Sequence, residues 1–456
     1  MTGQKRKNTQ PTSMKHKRRK LLNNAFMCTG SLEELLVDQN RIKELIDQNR
    51  YFTHTIDDLP SIADQCRSGR CWMFAHLYVL RTTMIRKYRL HNDFDFSASY
   101  LYFYDQLEKF RHAVLSLRED ENLRKCNPSE NPMYYTIVSV GDGGWSDYVL
   151  NVIEKHGLVP KSAYGESQHT KRTGEVRCLV RRLLKTCAYQ MKCTDDPDEL
   201  DKICSTSIAE CQNILEMCLG TPPTNFMWQY RGTSDLAASR EVRHKSAPFK
   251  RRYYESQTYT PQEFWALVKG TCSITPHVLH NDPFVPLNTV YTGLNRDTNV
   301  HEQPQRRRHL NLSTDEILHY VRKSIRHGIP VVMGCDIGAD TYTSSEIGIM
   351  SPDIYYYDAL SKGLVSLNRE EMLASRVESV NHDVCVVGYN VVNGTWKIAN
   401  SWGKKWGYDG YWIATTEWMK RHYCCFSIVD ELLSTEHKEL LYGEPHGSYT
   451  LDSIVH

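Results

Sequence analysis

The sequence predicts an α+β fold in which helices come first and short antiparallel strands come last. Three observations predict it. Residues 71–80 (CWMFAHLYVL) are apolar or aromatic at almost every position, as a helix in the middle of a protein must be. Capping signatures open helices elsewhere, at Ser31-Leu32-Glu33-Glu34 and Ser313-Thr314-Asp315-Glu316. After Gly328 and Pro330 the period changes, and short β-rich runs separated by turn residues follow.

Taken in order, residues 1–25 lack periodicity and read as a basic, flexible extension. The run Lys15-His16-Lys17-Arg18-Arg19-Lys20 is a nuclear address, an anion-binding arm or a solvated tail; the sequence leaves these open. Ordered structure begins near Ser31. The buried helix from Cys71 is followed by a second aromatic one at 96–104 and a third at 146–156, stopped by Gly157 and Pro160. From about 170 to 325 the chain is richer in charge and cysteine and carries a basic loop at 240–252. Helical patterns at 196–219, 260–270 and 313–327 predict a largely helical insertion. Strands are predicted at 330–334, 384–389, 395–399 and 410–415, giving a second layer and a cleft between the two.

Composition sets the outer bounds. The 456 residues allow two or three domains, or one with large insertions. Hydrophobic residues at 40% and charged residues at 24% suit a protein with a real core. A net charge of +2 argues against a polyanion binder by composition, so any nucleic-acid surface would be local. No apolar run is long enough for a membrane helix, and the basic N-terminus has no apolar stretch behind it as a secretory signal does. Fifteen cysteines, an odd number without CxxC or Cys/His ligand spacing, argue against a disulfide framework and a zinc site. A reducing compartment, cytoplasmic or nuclear, is the simpler reading. Cys424 and Cys425 read as small packing residues near a helix end.

Four residues carry candidate chemistry. Cys71 opens the buried helix, where unpaired amide groups are expected to lower a thiol's pKa. Gln65, six residues earlier, would offer a side-chain amide beside the Cys71 backbone N–H to an oxyanion. His382 heads a predicted strand, and Asn400 begins the turn after the next one, in Asn400-Ser401-Trp402-Gly403. Adjacent antiparallel strands would bring both to one end of the sheet. There the carboxamide accepts the imidazole N–H and leaves the other ring nitrogen for the thiol, with Trp402 covering the bond. Among nineteen histidines, it is this motif that singles out His382.

Ser68-Gly69-Arg70-Cys71-Trp72, His382 and Asn400-Ser401-Trp402-Gly403 resemble the papain clan, and within it the bleomycin hydrolase (aminopeptidase C) family. Ser68 stands where secreted members have a disulfide cysteine. The gap from Cys71 to His382 far exceeds the roughly 130–150 residues of secreted papain-like enzymes, leaving room for this branch's inserted domain. Phe96-Ser97 with Ser99-Tyr100-Leu101, Asp142-Gly143-Gly144, residues 220–231 (GTPPTNFMWQYR), Asn281-Asp282-Pro283 and Gly334-Cys335-Asp336 are also similar, so the resemblance covers about 30–456. It implies a papain-like fold with 26–170 as the helical half, 171–327 as the insertion, 328–430 as the β half and 431–456 as an arm entering the cleft. It further implies an intracellular cysteine aminopeptidase working through a Cys71 thioester, without cofactor or metal. Gly143 and Gly144 would form a substrate wall, and the His456 carboxylate would receive the substrate's α-ammonium. The resemblance also implies homohexameric rings, and some members bind nucleic acid through basic channel surfaces; here the basic runs would supply such a surface or form solvated charged segments. An endopeptidase, a nucleic-acid-binding ring protein and an inactive scaffold are the alternatives, the last disfavoured by the intact Cys, His, Asn and Gln. Three departures stand out: Asp64 where the family usually has Asn, Gly143-Gly144-Trp145-Ser146-Asp147 in place of Gly-Gly-Gln-Trp-Asp, and Asp383 after the histidine, where a small residue is usual. Asp383 would raise the histidine's pKa or point away from it.

Overall fold

A computed structural model describes residues 36–49, 51–131, 134, 138, 140–231, 254–271, 276–293, 299–300, 308–357, 367–375 and 380–449. The capping box at Ser31, both basic runs and His456 lie outside these residues.

Helix α1 (Gln39–Gln48) packs Ile42 and Leu45 with Ile349, Ile354 and Tyr355 on the sheet side, and the helical layer is built from α2 (Cys71–Tyr88), α3 (Ala98–Glu119), α4 (Ser146–His156), α5 (Gly174–Lys192), α6 (Pro197–Leu219) and α7 (Pro261–Lys269). Helix α2 buries nearly its whole first three turns, as its all-apolar start requires. Ser97 caps α3 by accepting the Tyr100 N–H at 3.0 Å. Gly157 ends α4 with φ +78°, and a Cβ there would lie 2.4 Å from the Pro261 carbonyl oxygen, so only glycine fits between α4 and α7. Helix α5 shows the stripe Val176, Val180, Leu184, Cys187 and Met191, which packs into one core with Leu101, Phe110, Ile153 and Leu215.

The second layer is one mixed sheet. Its central strands are β6 (Val331–Cys335), β7 (His382–Asn390), β8 (Thr395–Ala399), β9 (Tyr411–Thr415) and β10 (Tyr423–Val429). Three strands from before β6, namely β3 (Pro276–His280), β4 (Thr289–Gly293) and β5 (Arg308–Asn311), extend it in the order β4-β5-β3-β10-β6-β7-β8-β9. The 171–327 region thus carries strands as well as helices, including a two-stranded ribbon, β1 (Phe226–Arg231) with β2 (Tyr254–Tyr259). Helix α8 (Thr314–Arg326) has the predicted capping box, Ser313 with Glu316, and packs Ile317 and Val321 against Val331, Met333, Val384 and Val386.

The opposite face of the same strands meets α2. Val332, Cys385, Val387 and Ala399 pack with Ile62, Ala75 and Tyr78, and the Cys385 thiol donates to the Ala75 carbonyl at 3.2 Å. This small cluster is the seam between the layers. Cys424 and Cys425 follow the helix Thr416–His422 but belong to β10, where Cys425 is buried.

Candidate active site

Cys71 is the first residue of α2, with 9% of its surface exposed. The loop before it is held by its own hydrogen bonds: Gln65 Nε2 donates to the Ser68 carbonyl and the Ser68 hydroxyl to the Gln65 carbonyl, both at 2.6 Å. The Gly69 N–H donates to Asp142 Oδ2 at 2.8 Å, and a Cβ on Gly69 would come within 2.5 Å of that carboxylate. Arg70 is fully buried; its guanidinium forks onto Glu166 at 3.1 and 2.9 Å and lies over the rings of Phe74 and Tyr102.

Asp142 draws several elements onto this loop. Besides Gly69 it accepts from Thr173 and, at 2.7 Å, from Arg177, while its carbonyl takes the Trp72 indole N–H at 2.9 Å. Burial works against the Asp142 carboxylate, but these donors and the Arg177 charge leave its pKa below the ordinary value. Next to it Gly143 faces open space, and Lys109 holds its carbonyl at 2.6 Å. Gly144 lies so close to Trp72 that an added Cβ would sit 2.7 Å from the indole.

His382 is the first residue of β7, and Asn400 follows the last residue of β8. The two strands pair with Cys385 opposite Ala399, so both side chains come to one end of the sheet. His382 Nε2 meets Asn400 Oδ1 at 2.8 Å, and the Ser401 N–H donates to the same oxygen at 2.7 Å. Two donors on one atom fix the carboxamide's orientation, and because that oxygen only accepts, Nε2 carries the proton. Nδ1 is then the ring nitrogen not engaged by Asn400. Trp402 packs on the imidazole with centroids 5.0 Å apart.

The residues from the two layers meet directly. The Gln65 N–H donates to the Ser401 carbonyl at 2.8 Å, the Ser401 hydroxyl to Gln65 Oε1 at 2.6 Å, and the Gly403 N–H to the Ala63 carbonyl at 2.9 Å. Asp64, between them, accepts from the Cys66 N–H at 2.8 Å. The structure therefore gathers Gln65, Cys71, His382, Asn400 and Trp402 at the end of the seam, with Gly143 and Gly144 in the loop beside Trp72.

One electrostatic expectation is corrected, and of the two readings of Asp383 the one that raises the histidine is not supported. Burial, followed by the Asp383 charge, pushes the Cys71 thiol up to about 12, although the Asp383 and Trp72 backbone N–H groups pull the other way. The helix terminus alone does not make a thiolate here. Burial likewise pushes His382 down to about 4, with the Asn400 bond opposing it. Asp383 therefore acts on the thiol rather than raising the histidine.

Ser401, Asp142 and Glu166 were not among the residues expected to shape the site. Ser401 sits inside the Asn-Ser-Trp-Gly motif that pointed to Asn400, and Asp142 directly precedes the Gly-Gly pair. Glu166 carried no local signal. Among the described residues there is no cluster of three or more His, Cys, Asp or Glu able to hold a metal, and no helix long and apolar enough to cross a membrane.

A cysteine at a helix start, beside a histidine oriented by an asparagine across a two-layer seam, defines a papain-like thiol peptidase. The chain belongs to the Peptidase C1-like family, whose match spans residues 1–454. It is 28% identical over 406 residues to an aminopeptidase C of Listeria monocytogenes, covering 86% of this chain and 85% of that protein. It is 25% identical over 420 residues to the bleomycin hydrolase of Gallus gallus, covering 88% and 86%. The crystal structure of pepw from Lactobacillus rhamnosis HN001 superposes with a TM-score of 0.82 at 25% identity, over 95% of this chain and 94% of that one.

Proposed function

We propose that this cysteine peptidase is an aminopeptidase, with Cys71 as nucleophile, His382 as acid and base, Asn400 orienting the histidine and Gln65 stabilising the oxyanion. The observation that supports this reading is the 2.8 Å bond from His382 Nε2 to Asn400, which leaves Nδ1 as the ring nitrogen available to the thiol. His382 takes the Cys71 proton, and the sulfur attacks the peptide carbonyl. The resulting oxyanion is met by the Cys71 backbone N–H and the second N–H of Gln65 Nε2. Collapse expels the amine with the proton from His382, leaving a thioester. Water, deprotonated by His382, then releases the acid and restores the thiol.

Gln65 is already fixed through Ser68 and Ser401, so the donor is in place before substrate arrives. Gln65→Ala is expected to lower kcat by ~10²–10³ on aminoacyl-coumarin substrates, with KM changed far less. Equal loss in KM alone would remove Gln65 from this role.

The exopeptidase part is supported by the name of the bacterial relative, aminopeptidase C. In this proposal the His456 carboxylate receives the α-ammonium of a substrate lying along Gly143 and Gly144. Deleting residues 451–456 should then reduce cleavage of free-amine substrates and admit N-blocked ones. Unchanged selectivity after deletion would place the restriction elsewhere. A homohexamer resident in the cytoplasm or nucleus belongs to the same proposal, and light scattering of the full chain tests the assembly. Binding of single-stranded DNA with a steep salt dependence would add the nucleic-acid role; no binding at low salt would exclude it.

A further inference from the structure

A cavity of about 500 Å³, a volume of the size that takes a small molecule, lies between the C-terminal end of α1, residues 51–52, residues 346–349 and the loop entering β9. Its floor is a row of register partners. Lys397 of β8 lies opposite Ile413 of β9, and Ile413 lies opposite Ile349 of the short strand Gly348–Met350. Partners in register project from one face of a sheet, so the lysine stem and the two isoleucines stand side by side. Ile46 of α1 packs over the same face with Ile413, and Tyr411 and Trp412 supply aromatic surface.

Tyrosine hydroxyls apart, three polar side chains are found among the described lining residues: Asn49, Glu346 and Lys397. Asn49 is committed within the protein, because its Nδ2 donates to the Leu45 carbonyl at 2.8 Å and its Oδ1 accepts from the Thr395 hydroxyl. Glu346 is exposed. Lys397 is half-buried, and its ammonium lies 4.2 Å from the centre of the Tyr411 ring, whose hydroxyl is turned to Tyr78 at 3.3 Å. Among the described residues Lys397 forms no ion pair. Burial lowers its pKa, and the Asp409 charge offsets this only in part. An ammonium held in this way gains most from an anion that arrives with a ligand, while the walls gain from covering hydrocarbon or a ring.

We propose that this cavity is a binding site for a small carboxylate with an apolar or aromatic body, held by Lys397. Lys397 Nζ donates to the carboxylate, and the body packs against Ile349, Ile413 and Trp412. Two sources offer that chemistry: a free apolar amino acid, whose ammonium Glu346 would meet, and an acid without an amine. None of these residues belongs to the Cys71 site, so the inference goes beyond the peptidase reading and does not depend on it.

The test uses the full chain with three probes of one shape: 3-phenylpropionate, L-phenylalanine and the neutral 3-phenylpropanol. Reductive methylation followed by peptide mapping reads Lys397 directly, with the exposed Lys404 as the internal reference. A carboxylate probe at millimolar concentration should slow methylation of Lys397 and not of Lys404, and the alcohol should protect neither. By calorimetry, Lys397→Met, which keeps the stem, is expected to weaken that probe about tenfold or more, and Lys397→Arg should retain most of the affinity. Thermal melting checks that both variants fold. Stronger protection by phenylalanine, lost in Glu346→Gln, assigns the amino acid; stronger protection by 3-phenylpropionate assigns the acid without an amine. Failure of both carboxylates to protect Lys397, equal protection by the alcohol, or unchanged affinity in Lys397→Met overturns the inference.

Discussion

Cys71→Ala is expected to abolish turnover, with kcat reduced by ~10⁴-fold or more, because a thioester cannot form without the sulfur and the remaining groups act only in concert with it. The fold should survive, since the change removes one small atom from a site at the mouth of the seam, and far-ultraviolet circular dichroism with thermal melting checks this. Alkylation of the wild type gives the complementary result. Cys66, Cys178 and Cys193 are exposed and will also label, so inactivation must be followed peptide by peptide. Loss of activity should track modification of Cys71 and be slowed by substrate. Inactivation that tracks Cys66 while Cys71 stays unmodified would remove Cys71 from the mechanism.

Arg70→Ala should be the most damaging change to stability near the site, at about 3–5 kcal/mol by urea denaturation. Arg70 has no exposed surface, and its loss leaves Glu166 largely buried beside the loop with no cation. Glu166 is pushed up by burial, yet the Arg70 charge and hydrogen bonds outweigh this and hold its pKa below the ordinary value. A carboxylate with a depressed pKa stabilises the fold above its unfolded value, and that contribution fades as pH falls through the folded one. In wild type, stability should therefore decline as the solution is taken below about pH 4.5, and Arg70→Ala should lose this part of the acid dependence. A variant within about 1 kcal/mol of wild type, with an unaltered acid limb, would show that the pair contributes little.

Local pattern carried most of the helices and the strands on either side of His382 and Asn400. Ser146–His156 and Thr395–Ala399 have sharp boundaries because a helix-ending glycine and flanking turn residues mark them. Strand β10 escaped notice for the opposite reason. It follows Thr416–His422 with no turn residue between, and a continuous apolar run does not distinguish a buried strand from a helix end. Strands β3, β4 and β5 are short and half-paired in parallel, so neither alternation nor hairpin turns announce them. In α5 the apolar stripe is present but crowded by Arg177, Arg181, Arg182 and Lys185. At the site, Cys71, His382 and Asn400 were legible because a motif encodes each. Glu166 and Ser401 act through partners distant in the chain, which spacing does not encode. The Cys71 thiol was misjudged because burial, a property of the whole fold, outweighs the helix terminus.

The ladder joining 63–65 to 401–403 has a bearing on how this molecule spends its free energy. Gln65, the proposed oxyanion donor, and Asn400, which bonds the histidine, are tied to adjacent rungs, so their mutual distance is set when the chain folds rather than when a peptide binds. A site of this kind has little reorganisation left to undergo during the reaction, and dipoles fixed in advance stabilise a developing charge more than dipoles that must turn. It also makes the chemistry a gauge of the seam: any loosening of the two layers displaces donor and base together. Activity should then fail in mild denaturant before either layer loses its own secondary structure.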